Sequence, residues 1–135
     1  MKNKKDSCIF DYHKVIKLIT TGYLHSMLFF ARDDIGFKEK SDVSPELLIT
    51  INSNIKEYHT KIKNIIEEIS NKYKNYLNKY GYQQLGHDFW LTRNDLDPGF
   101  WNCALGEIGN QLSNVSHNFS RMDLIIGDDG KIYLK

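Results

Sequence analysis

Apolar residues recur along this chain at helical and strand periods, and the changes of period divide it. Across residues 11–32, Ile16, Ile19, Tyr23, Met27 and Phe30 step by three and four, which places them on one face of an α-helix. Val15, Leu18, Leu24, Leu28 and Ala31 widen that face, so this helix is expected to meet more than one neighbour. Residues 33–43 are polar and hold Gly36; they predict a loop, with Ile35 and Phe37 tucked back onto the core. Ser44-Pro45-Glu46 reads as a helix start, because serine can accept an orphan backbone N–H, proline suits the first helical position and glutamate the positive helix end. Leu48, Ile51, Ile55, Tyr58, Ile62, Ile65, Ile69, Tyr73, Tyr76 and Tyr80 then repeat at three and four as far as Gly81. Unbroken, that helix would run about 50 Å at 1.5 Å per residue, with Asn52-Ser53-Asn54 as the place for a bend. Such a stripe suits either an internal core seam or a coiled-coil homodimer through the 46–80 helix, the latter because its second half exceeds what the first helix can cover.

Residues 86–107 hold both tryptophans, Trp90 and Trp101. His87 through Arg93 has the aromatic and β-branched side chains of a half-buried strand, with Phe89 and Leu91 facing one way and Trp90 and Thr92 the other. Asn94, Asp95, Leu96, Asp97, Pro98 and Gly99 supply turn chemistry, and Phe100 to Cys103 would return as a second strand with cross-strand aromatic contacts. Leu105, Ile108, Leu112, Val115 and Phe119 step as a third, shorter helix despite Gly106 and Gly109. Last, apolar runs at Leu124-Ile125-Ile126 and Ile132-Tyr133-Leu134 flank Asp128-Asp129-Gly130, a strong hairpin signal. The expected fold is α+β in a single domain, residues 1–135: a long N-terminal helical hairpin (1–81), then a small antiparallel sheet of two β-hairpins with one intervening helix (82–135).

Composition narrows the classes. With 41% hydrophobic and 26% charged residues, the chain has the apolar content that disordered segments lack. A formal net charge of +1 removes any whole-molecule case for polyanion binding. The charge is unevenly placed, however: residues 1–81 carry 14 Lys+Arg against 10 Asp+Glu, and residues 82–135 carry 4 against 7. Lys56, Lys61, Lys63, Lys72, Lys74 and Lys79 are spaced along the long helix as a solvated face would be, with phosphate contact as the other reading. Cys8 and Cys103 have no metal-ligand spacing and are expected to be free thiols. Residues 1–10 lack an apolar leader, and the most apolar window, 16–31, is broken by Lys17, Thr20, Thr21, His25 and Ser26. Neither a secretory signal nor a membrane span is expected.

Candidate chemistry gathers at His87, Asp88, Arg93, Asp95, Asp97, Asn102 and Glu107. An imidazole beside a carboxylate suits a general base, but adjacent strand residues point to opposite faces, so His87 and Asp88 are not expected to pair. No nucleophile elbow, phosphate loop or His/Cys metal spacing occurs, and Asp128 and Asp129 are too few oxygen ligands for a calcium loop. No catalytic residue, metal ligand or cofactor is assigned. The binding surface expected instead is His87, Phe89, Trp90, Arg93, Asp95, Asp97, Phe100 and Trp101.

The string Gly86-His87-Asp88-Phe89-Trp90-Leu91-Thr92-Arg93-Asn94, followed by Gly99-Phe100-Trp101, Leu105-Gly106 and Gly127-Asp128-Asp129-Gly130-Lys131-Ile132-Tyr133, resembles a family of small phage and prophage proteins. Pro45-Glu46-Leu47-Leu48 is similar to that family's helix start, so the likeness spans residues 22–134. Members tend to carry Gly-His-Gly in the turn and Asp after Phe-Trp, where this chain has Asp95-Leu96-Asp97-Pro98 and Asn102. The resemblance implies a phage accessory protein of the host cytoplasm, and no particular reaction. The expected function is stoichiometric binding that inhibits a host or defence protein, as an anti-CRISPR or similar counter-defence factor would. Two alternatives stand beside it: a single-stranded nucleic-acid binder whose rings stack bases, and a small hydrolase or nucleotide-binding enzyme using His87, Arg93 and Glu107.

Overall fold

Asp11 opens the first helix, α1 (Tyr12–Phe30), by accepting the Lys14 backbone N–H at 2.8 Å. The structure, a computed structural model, describes residues 11–73, 75–96, 99–100 and 105–135. The wide apolar face of α1 is buried as expected, from Val15 and Ile16 through Met27. A single turn, α2 (Arg32–Ile35), ends at Gly36, whose φ of 81° lies where side chains are strained. Ile35 is buried, but Phe37 is 88% exposed, so only the first of the two loop residues tucks back. After a 3₁₀ turn (Lys40–Asp42), Ser44 caps α3 (Pro45–Lys61) by accepting the Leu47 N–H at 3.1 Å.

The long helix is not continuous. Ile62, at φ −105° and ψ 12°, separates α3 from α4 (Lys63–Lys72), so the bend falls there and not at Asn52-Ser53-Asn54. Ile51, Ile55, Tyr58, Ile62 and Ile69 are sealed within the chain, whereas Leu48 is exposed and Ile65 only partly buried, so the apolar stripe behind the dimer expectation is covered internally only in part as far as Ile69. Beyond it Tyr73 and Tyr80 are exposed.

Asn78 then accepts the Gly81 N–H at 2.9 Å and starts α5 (Lys79–Arg93). Residues 87–93, expected as a strand, form the second half of this helix. Leu85 and Phe89, four apart, are both buried, but from Asp88 to Asn94 every residue is buried as well. A helix end enclosed on all sides shows no polar stripe, and the strand preference of its aromatic residues yields to packing. Of the expected return strand, Phe100 is buried, and Trp101, Asn102 and Cys103 lie outside the described residues, as do Asp97 and Cys8.

α1 and α5 share the most extensive helix contact. A β-carbon on Gly22 would overlap the Gln83 carbonyl, and one on Gly86 the Ile19 carbonyl; the two backbones therefore touch directly. α6 (Glu107–Ser116) follows Gly106 and buries Ile108 and Leu112. The chain closes with the expected hairpin, β1 (Leu124–Ile126) antiparallel to β2 (Ile132–Leu134), in the register Ile125 to Tyr133. Ser44 N donates to Ile132 O at 3.0 Å, tying the start of α3 to β2. The class is α+β, mostly helical with one small two-stranded sheet among the described residues; the expected second hairpin is replaced by α5. No helix among the described residues is long and apolar enough to cross a membrane.

Candidate functional site

Because residues 87–93 are helical, the side chains expected on one ribbon point in several directions. Phe89 stacks on Tyr58, ring centroids 3.9 Å apart, and meets Phe119 edge-on at 5.0 Å. Phe89 and Phe100 are both core, so neither belongs to an exposed surface as anticipated. Trp90 is only 3% exposed, yet it lines a cleft of about 490 Å³. Its Nε1–H is sealed and has no hydrogen-bond acceptor among the described residues. Of the expected binding residues, Trp90 alone lines this cleft among those described.

Three chain segments converge there. Phe30 and Ala31 come from the end of α1, Asn94 and Leu96 from the end of α5, and Met122 and Leu124 from the approach to β1. Asn94 is the staple: its amide donates to Trp90 O at 2.8 Å and its Oδ1 accepts the Met122 N–H at 2.8 Å. Asp34, Asp123, Arg121 and Lys135 line it as well, so apolar side chains and charges of both signs share its wall. Asp95, in the left-handed region at φ 58°, lies 3.2 Å from His117 and 4.0 Å from Arg121. These pairs are exposed and screened, so they orient Arg121 more than they stabilise the fold. Asn94, Leu96, Met122 and Leu124 are the cleft residues that sequence reasoning missed. Asn94 would have stood out as a helix C-cap had the helix been recognised; the others carry no local signal.

His87 sits elsewhere, on a hollow of about 170 Å³ with Thr21, His25, Tyr80 and Gln83. Its Nδ1 is 3.3 Å from Asp88 Oδ1, and Gln84 Nε2 donates to the same oxygen at 3.0 Å. Adjacent helical side chains are about 100° apart, close enough to meet, which overturns the expectation that these two could not. The result is an imidazole beside a buried carboxylate; of the hydroxyls lining that hollow, Thr21 donates to Lys17 O at 2.9 Å and Tyr80 is exposed.

Arg93 is 5% exposed. Its Nε donates to Ser120 O at 2.9 Å, and its Nη1 to Asn54 Oδ1 at 2.8 Å and Tyr23 Oη at 3.2 Å. Burial pushes the Tyr23 phenol up to about 12, against a smaller opposing pull from Arg93. Glu107 pairs with its neighbour Asn110 at 3.2 Å on the outside of α6. His87 and Arg93 line separate hollows, and Glu107 lines neither, so the three residues of the enzyme alternative are not gathered. No cluster of three metal-type side chains occurs among the described residues. The chain matches no protein-family model, no curated protein and no solved structure.

Proposed function

We propose that this chain is a stoichiometric binding protein that seats a segment of a partner protein in the cleft floored by Trp90. The observation that carries this reading is the cleft's make-up: a tryptophan floor with Phe30, Leu96 and Leu124 beside it, lined also by Asp34, Asp123, Arg121 and Lys135. Apolar side chains set among charges of both signs suit a specific protein interface, with Leu96, 37% exposed, as the apolar side chain open to a partner, since Trp90 is only 3% exposed. The family resemblance supports a phage accessory role, with a host or defence protein as the partner and counter-defence as the purpose. Scattering of His87, Arg93 and Glu107 favours binding over hydrolysis.

The test is capture by the tagged full chain from phage-infected host lysate, followed by mass measurement of the purified complex. One partner copy per chain is expected. Leu96→Asp, at a residue 37% exposed, should weaken the complex at least about tenfold while leaving the melting temperature near that of the wild type. Capture unaffected by Leu96→Asp and Leu124→Asp would remove the cleft from the reading. Quenching of tryptophan fluorescence by a single-stranded oligonucleotide, weakening as salt rises, would favour the nucleic-acid alternative.

A further inference from the structure

The buried guanidinium of Arg93 lacks a counter-charge. Its protein acceptors are a carbonyl, an amide oxygen and a phenol, and the phenol keeps its proton by donating to Met122 Sδ at 3.2 Å. The rings of Phe89 and Phe119 lie 5.3 and 5.5 Å from Cζ. Among the described residues no carboxylate comes within ion-pair distance of it. A charge taken out of water is costly unless it is paired.

A guanidinium has five N–H donors, and Nη2 has no hydrogen-bond partner among the described residues, nor is it sealed from solvent. Arg93 lines a hollow of about 360 Å³ between α3 and residues 118–122. Water occupies about 30 Å³ per molecule in the liquid, so the hollow holds a small anion together with part of whatever carries it. The other polar groups on its wall include several donors. Asn54 spends its Oδ1 on Arg93 and keeps its amide N–H groups, while Thr50, Asn118 and Arg121 stand around it. Glu57 is the exception; it lines the same hollow, with its carboxylate 4.0 Å from Lys61 and more than half exposed.

We infer that this hollow, which shares Arg121 and Met122 with the Trp90 cleft, is a small-oxyanion site in which Arg93 and Arg121 take a phosphoryl or carboxylate group. Planar N–H forks match both chemistries. Glu57 is the internal competitor, lowering affinity by its like charge. The inference does not rest on the partner-protein reading, since Arg93 and Asn54 lie outside the Trp90 cleft and the ligand is a free small ion.

The full ¹⁵N-labelled chain in low-salt buffer is titrated with inorganic phosphate, and separately with acetate, against chloride at matched ionic strength. Saturable shifts of the Arg93 Nε–H and Asn54 side-chain amide signals are expected with at least one oxyanion. The arm that saturates first identifies the favoured chemistry. Arg121→Gln should weaken that binding about tenfold, as loss of a charge-assisted bond does, and Glu57→Gln should tighten it about threefold. Arg93→Lys keeps the charge but loses the fork, and should abolish the Asn54 shift; should that variant fail to fold, the Arg121 and Glu57 variants decide. Shifts no larger than those with chloride would overturn the inference. So would a Glu57 carboxyl titrating far below the ordinary glutamate range, since Glu57 would then be the partner of Arg93 in solution.

Discussion

Tyr58 and Phe89 lie face to face, their planes 3° apart and their centroids separated by 3.9 Å. Phe119 closes on both edges, at 5.9 Å from Tyr58 and 5.0 Å from Phe89. The Tyr58 hydroxyl continues the join by donating to Leu112 O at 3.3 Å and accepting from Ser116 Oγ at 2.9 Å. One aromatic node thus fastens α3, α5 and α6. Phe89→Ala should cost about 3–5 kcal/mol, the range for truncating a sealed aromatic. Tyr58→Phe keeps the stack, and Ser116 Oγ still reaches Leu112 O at 2.8 Å, so it should cost only about 1 kcal/mol. Urea unfolding of the two variants measures the contrast; equal costs would mean that the hydroxyl network, and not the stack, holds the helices.

In most exposed helix interiors, replacing glycine by alanine gains about 1 kcal/mol. At Gly22 and Gly86 the sign should reverse, because the added methyl meets the backbone of the opposite helix and has no flexible side chain to displace. Thermal melts of Gly22→Ala and Gly86→Ala are expected to fall well below the wild type. Asn114→Ala, on the exposed side of α6, should match or slightly exceed it. Melts unchanged at both glycines would mean that α1 and α5 are not in backbone contact.

Where local signals agreed, the chain was readable from its residues alone. Ser44-Pro45-Glu46 combines a cap, a first-turn proline and a first-turn acid, and α3 begins there; Asp128-Asp129-Gly130 turns the hairpin as its residues require. The break at Ile62 was hidden, since neither glycine nor proline marks it and the three-four apolar steps run straight through. α5 was hidden for a different reason: its aromatic residues favour strands locally, and the all-round burial that keeps them helical comes from α1, Tyr58 of α3 and Phe119, which they meet only in the folded chain. The Trp90 cleft was half visible. Trp90 announced itself by type, but Met122 and Leu124 arrive from far along the chain, and convergence of that kind has no local pattern. His87 and Asp88 were kept apart by the strand reading and brought together by the helix.

The C-terminal turn carries a linked pair of acids. Tyr133 Oη donates to Asp129 Oδ2 at 2.6 Å; that bond, and then the Lys131 N–H, hold the Asp129 carboxyl below its ordinary 3.8, while the same bond pushes the Tyr133 phenol up to about 12. A depressed carboxylate stabilises the fold above its unfolded value and loses that contribution as pH falls through the folded one. A raised phenol contributes fully below about 10 and loses it as pH climbs through about 12. The turn should therefore be most ordered between about pH 4 and 10. Carbon-detected titration of Asp129 checks this: Tyr133→Phe should return its midpoint toward 3.8, and an unmoved midpoint would assign the shift to the backbone alone.

Asn94 joins the end of α5 to the approach to β1, as Arg93 does through Ser120 O, and it is buried while doing so. Asn94→Ala removes a donor from Trp90 O and an acceptor from Met122 N at once. Two buried groups left without partners cost about 1–3 kcal/mol each, less whatever water reaches through the cleft beside them. A loss of about 2–4 kcal/mol is expected, with faster amide exchange at Met122. Asn94→Asp restores the acceptor but sets a carboxylate against the Trp90 carbonyl, so it should protect Met122 while still lowering stability. The two variants separate the roles: if both leave Met122 exchange unchanged, the cleft wall is held by its apolar contacts, and partner binding there should survive either substitution.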